Sequence, residues 1–129
     1  MTILVDSDVL IEVSRGRDKS IVSEWLDLSV SEARILVSAV TVTELLAGAR
    51  PAEHETLEAL FEALVCVPAD VGIGRRAGEY LRTCRKSHGV ELADALIAAT
   101  AVESEAMLWT RNRQRYPMKD LSFFPGGKS

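Results

Sequence analysis

Soft metal ligands and disulfide partners are scarce in this chain: its 129 residues include two cysteines, Cys66 and Cys84, and two histidines, His54 and His88. There is no CxxC pair, and no histidine stands at metal-ligand spacing from either thiol, so the cysteines read as reduced groups in a cytoplasmic protein. No apolar run approaches the roughly 20 residues needed to cross a bilayer. The start, MTILVDSD, lacks the basic segment that precedes the apolar stretch of a secretory leader. Excess positive charge is missing too, since the formal net charge is −4. That argues against broad adhesion to nucleic acid. It leaves room for a nucleic-acid enzyme whose acidic metal ligands offset arginines that meet phosphates. Repeats, low-complexity tracts and any dividing linker are also absent. A single domain over residues 1–129 is therefore expected, with a flexible tail from about 125.

What is present is a regular alternation. Apolar residues make up 47% of the chain and charged ones 26%, the proportions of a folded globular protein. Ile3 to Val5 form a short apolar run, read as a strand buried on both faces. Val9 to Val13 carry helical potential until Ser14 and Gly16. A helix with Ile21, Trp25, Leu26 and Leu28 on one stripe follows from Ser20 to Ala33, and then a second strand from Ile35 to Val40. TVTELLAGAR reads as a helix closed by Gly48 and Pro51. Leu57, Leu60, Phe61 and Leu64 mark another helix from Glu53 to Leu64. Val65 to Val67 read as a short strand, and Asp70 as the cap of a helix reaching about Lys86. ELADALIAATAVESEA is a helix apolar nearly all round, hence buried. Met107 to Thr110 form one more strand, and Leu121 to Phe124 a candidate last one. Strands alternating with helices predict a three-layer α/β/α sandwich around a mainly parallel sheet.

The acids occupy particular places in that pattern. In a parallel sheet, each strand's carboxyl end and the amino end of the next helix share one edge, where ligands bind. Asp6 and Asp8 follow the first strand, Glu44 is expected in the first turn after the second, and Asn112 follows the strand at 107–110. Asp94 starts the buried helix, whose amino end belongs to the same edge. Each has an ordinary alternative. Asp6, Ser7 or Asp8 can cap a helix, and Thr41 with Glu44 matches a capping box. Asp94 suits a helix dipole, and Asn112 suits a turn. Together, however, carboxylates on one edge repel and raise one another's pKa values, and a divalent cation relieves this. An all-oxygen set points to Mg²⁺ or Mn²⁺ rather than zinc. Such ions serve phosphoryl chemistry, with a metal-activated water as nucleophile.

Four segments, ILVDSDVLIE, VSAVTVTELLAGA, ELADALIAATAVE and LWTRNRQRYP, resemble the PIN-domain family in order and spacing, and more closely its VapC-type toxins. They span nearly the whole chain. The resemblance implies a metal-dependent endoribonuclease that inhibits translation and growth, with a compact α/β/α fold. By motif, Asp6, Glu44 and Asp94 are its three acids and metal ligands. Asn112 stands where many relatives have aspartate, and is assigned to water-mediated contacts in the site. Asp8, Ser7 and Thr110 are supporting residues. The resemblance also implies a VapB-type antitoxin whose tail blocks the site, and a toxin homodimer beneath a heterotetramer or larger assembly. The stripes of the helices at 20–33 and 53–64 serve either the core or a groove for that partner. Arginines are clustered, with Arg15 and Arg17 after the first helix and Arg111, Arg113 and Arg115 around Asn112. Of these, Arg15, Arg17, Arg111 and Arg113 are expected to meet RNA phosphates.

Two other readings compete. ILVDSDV also fits a phosphatase of the haloacid dehalogenase type, with Asp6 as nucleophile and Asp8 as general acid, but the late strand ends in TRN without the acids such an enzyme needs. An inactive binding module on the same fold is the second, and Asn112 favours it. Retention of Asp6, Glu44 and Asp94 weighs against it.

Overall fold

Along β1 (Thr2–Val5) side chains point alternately to two faces, and both faces are apolar. Leu4 packs with Leu36, Ile97 and Leu108 in one core cluster. Ile3 and Val5 join Val9, Val37, Leu57 and Trp109 in another. A strand buried on both sides makes its sheet a middle layer. At about 2 kcal/mol for each fully buried Leu, Ile or Val, these clusters provide the main drive to fold. The three-layer α/β/α sandwich is thus present in this computed structural model, which describes residues 1–125. The tail expected beyond that point lies outside the described residues from 126 onward.

The strands β1, β2 (Arg34–Ser38), β3 (Val65–Val67) and β4 (Met107–Trp109) lie in the order β3-β2-β1-β4, all parallel. Ile3 stands beside Ile35 on one side and Met107 on the other, so β1 is a central strand. The helices are α1 (Ser7–Arg15), α2 (Lys19–Ser29), α3 (Ala39–Gly48), α4 (His54–Ala63), α5 (Val71–His88) and α6 (Leu92–Glu103). Helix α6 is buried over nearly its whole length, as its uniformly apolar sequence requires. Gly89 ends α5 at φ +65°, a left-handed conformation natural to glycine. No helix among the described residues is long and apolar enough to cross a membrane.

Several boundaries differ from the sequence reading; α2 ends at Ser29 rather than Ala33, and β4 at Trp109 rather than Thr110. Strand β2 ends at Ser38 rather than Val40, because the Ser38 hydroxyl accepts from the Val40 amide and starts α3 there. Thr41 is therefore a fully buried residue inside α3, not its cap, and the Thr41–Glu44 capping box does not form. Glu44 moves to the second turn. Finally, the segment from Leu121 to Phe124 makes only an isolated parallel bridge, Phe123 beside Leu108, with backbone bonds Leu108 N–H to Ser122 O and Phe124 N–H to Leu108 O.

Candidate active site

The Asp6 amide donates to the Trp109 carbonyl at 2.9 Å, which ties the end of β1 to the end of β4. Asp6 then caps α1, its Oδ1 accepting from the Ser7 amide at 2.8 Å. Its Oδ2 accepts from Thr110 Oγ1 and Tyr116 Oη, both at 2.8 Å. Arg115 Nη2 stands 3.5 Å from the same oxygen. Asp6 is fully buried, which a carboxylate tolerates only with such partners.

Asp94 occupies the first turn of α6, where its Oδ2 accepts from the Glu91 amide at 3.3 Å. Its other oxygen, Oδ1, lies 3.2 Å from Arg115 Nε. Burial raises the Asp94 pKa, and the Arg115 charge opposes that rise. Glu44 is more exposed, and its Oε1 accepts from Ser7 Oγ at 2.6 Å. The three acids expected from the sequence thus belong to one network, Asp94 to Asp6 through Arg115 and Asp6 to Glu44 through Ser7. Among the described residues, no three acidic, histidine or cysteine side chains close around one point as a finished metal cage.

The supporting residues fall into place around Asp6. Asp8 accepts the Arg111 amide at 3.1 Å and lies 3.4 Å from Thr110 Oγ1. Burial, followed by repulsion from Asp6, pushes the Asp8 carboxyl up to about 6. Thr110 has a single hydroxyl proton, and the shorter contact directs it to Asp6. Asn112 is exposed; its amide donates to Thr110 Oγ1 at 3.1 Å, and no side-chain bond joins it to the acids among the described residues.

Two residues of this network escaped the sequence reading: Arg115, whose position counted only as part of a basic cluster, and Tyr116. Burial, and next the nearby Asp6 charge, push the Tyr116 phenol well above its ordinary pKa, so it stays a neutral donor. Its only signal in the sequence is an aromatic standing inside a polar, basic stretch.

The arginines expected to meet RNA are mostly paired. Arg15 Nε lies 3.0 Å from Glu53 Oε2, and Arg17 Nη2 lies 2.9 Å from Glu12 Oε1. Arg111 reaches Glu12 at 3.6 Å and Asp18 at 3.4 Å. Arg113 donates to the Phe124 carbonyl at 3.2 Å and lies over the Phe123 ring, so it anchors the last described segment. A cleft of about 290 Å³ opens beside the acids, lined by Ser7, Asp8, Glu44, Arg15 and Arg115 among others. Arg15 also borders a cleft of about 590 Å³ with Arg17 and Arg50.

The donor set suits a hard cation: carboxylates and hydroxyls, with no soft ligand. The Arg115 guanidinium stands between Asp6 and Asp94, so the charge of the two carboxylates is balanced at that point by a positive group.

A parallel α/β sandwich with acids gathered at its carboxyl edge is the class of protein this structure defines. Residues 3–121 match the PIN domain family. Ribonuclease VapC10 of Mycobacterium tuberculosis is 39% identical over 117 residues, which cover 90% of this chain and 86% of that one. Ribonuclease VapC19 of the same organism is 36% identical over 116 residues, covering 89% and 92%. In fold, the crystal structure of VapBC2 from Rickettsia felis, bound to a DNA fragment from their promoter, superimposes with a TM-score of 0.82. That match covers 96% of this chain and 98% of that one at 20% identity. The chain belongs to the PIN-domain family, and the haloacid dehalogenase reading is set aside.

Proposed function

We propose that this chain is a VapC-type toxin, an endoribonuclease dependent on Mg²⁺ or Mn²⁺ that acts in the cytoplasm. One observation carries the reading: Asp6 and Asp94, distant in sequence, meet at the sheet's carboxyl edge with a positive group between them. Asp6, Asp94 and Glu44 are the residues that would hold the ion. When bound, such an ion supplies charge stabilisation at the phosphodiester and lowers the pKa of the attacking water. The chain's own groups do the rest. Thr110 and Tyr116 fix Asp6 in place, Ser7 orients Glu44, and Arg15 borders the adjoining cleft, where it would meet a phosphate.

The same reading includes a homodimer and a VapB-type antitoxin, in a heterotetramer or larger assembly. A groove of about 440 Å³ lined by Trp25, Leu28, Leu60 and Leu64 is where that partner would lie, while Ile21 and Leu57 of the same apolar stripes belong to the core. The test is expression of the wild type and Asp6→Asn in a bacterial host, followed by sequencing of new RNA 5′ ends. Specific ends with the wild type alone support the proposal; identical profiles refute it.

A further inference from the structure

Arg115 holds an unusual position for a surface arginine. Its Nη2 faces the fully buried Asp6 carboxylate at 3.5 Å, and its Nε faces Asp94 Oδ1 at 3.2 Å. Yet the Nε proton, although buried, meets no acceptor at hydrogen-bonding angle. The bond Arg115 does make is to Tyr116 Oη, at 3.2 Å, and its guanidinium lies over the Tyr116 ring, 5.5 Å from the centroid. The contact with the two acids is therefore one of charge, without the paired hydrogen bonds that make arginine–carboxylate forks strong. The side chain is 38% exposed and lines the cleft beside the acids, so a path out is open to it.

The carboxylates of Asp6 and Asp94 cannot serve two cations at full strength. A divalent ion held by these carboxylates would repel a guanidinium that stands 3.2 to 3.5 Å from their oxygens. We infer that Arg115 is an exchangeable counter-cation of the Asp6–Asp94 pair, and that binding of a divalent cation and withdrawal of Arg115 into the cleft are one linked event. Linkage is reciprocal: whatever Arg115 contributes to neutralising the acids, it subtracts from metal affinity.

This inference rests on the proposed function for the identity of the cation site. Direct Mn²⁺ titration by calorimetry tests it, with thermal unfolding in chelator as a second readout. Arg115→Gln should bind Mn²⁺ about tenfold more tightly than the wild type, within the usual range for coupled sites. In chelator it should melt earlier, because the two acids lose their neutralising charge. Equal or weaker Mn²⁺ binding by Arg115→Gln, in protein with wild-type circular dichroism, overturns the inference. Should that variant not fold, Arg115→Met decides, since it removes the charge and keeps an unbranched side chain. Tighter binding than wild type supports exchange, and unchanged binding overturns it. RNA cleavage by a wild type whose Mn²⁺ affinity equals that of the variant sinks the exchange alone. A wild type that neither binds Mn²⁺ nor cuts RNA removes both readings.

Discussion

Thr110 Oγ1 donates to Asp6 Oδ2 at 2.8 Å, joining the residue after β4 to the residue after β1 across 104 positions of sequence. Both groups are buried, so the bond is made where water cannot replace it. Thr110→Val keeps the shape and deletes the donor, leaving Asp6 short of a partner and the Asn112 amide short of an acceptor. A lost bond to a buried charged group costs about 2 kcal/mol. Thermal unfolding should show a melting temperature several degrees lower. An unchanged melting temperature would mean that this bond does not hold the site together.

Asp8 stands beside Asp6 but outside the Asp6–Arg115–Asp94 link. Asp8→Asn keeps an oxygen to accept the Arg111 amide, so the local turn survives. In the nuclease reading, RNA cleavage should stay within about tenfold of wild type, whereas loss of a general acid costs about a hundredfold or more. Steady-state cleavage rates of a short RNA measure this. A collapse beyond a hundredfold would give Asp8 a role in proton transfer.

Arg15 and Arg111 hold their ion-pair partners at partly exposed positions, where such pairs contribute little and exchange readily for phosphate. Each phosphate contact to single-stranded RNA adds about 0.7 to the slope of log affinity against log salt. Arg15→Gln together with Arg111→Gln should therefore weaken RNA binding and reduce that slope by about 1.4. Filter binding across a salt series, with Asp6→Asn as background to prevent cleavage, reads it. An unaltered slope would place the RNA elsewhere on the surface.

Sequence patterns revealed the acids because each follows an element with a clear period. Asp6 ends an apolar run, and Asp94 opens an apolar helix, so the parallel-sheet rule alone put them on one edge. Glu44 lies on the helix that its sequence predicts but one turn further along, because Ser38, not Thr41, caps it. Arg115 and Tyr116 were beyond reach for a different reason. They sit on and just after a 3₁₀ turn, Arg113–Arg115, whose short, irregular path has no periodic signature. That turn directs Arg115 and Tyr116 inward to Asp6, while Arg113 is drawn to the Phe123–Phe124 segment. Three arginines alike in sequence thus have three different fates: Arg111 at the surface acids, Arg113 on the final segment, Arg115 among the catalytic candidates.

The far side of the molecule offers a pH test independent of the site. Tyr80 Oη on α5 donates to Asp120 Oδ1 at 2.8 Å, and Arg76 bridges Asp120 to Glu103 on α6. Burial, and next the bond to Asp120, push the Tyr80 phenol up to about 12 from its ordinary value of 10.0. The folded state thus favours the protonated phenol. Its stabilising effect is complete below pH 10.0 and fades as the pH rises through about 12. Tyr80→Phe loses the hydrogen bond, at about 1 kcal/mol near neutral pH, but has nothing to titrate. The wild type should therefore melt higher than Tyr80→Phe at pH 8, and the gap should close and reverse between pH 10.0 and about 12. Tyr116 titrates in both proteins and cancels from the comparison. Melting curves of the pair across this range supply the measurement, and a constant gap would show that the Tyr80–Asp120 bond does not govern the phenol.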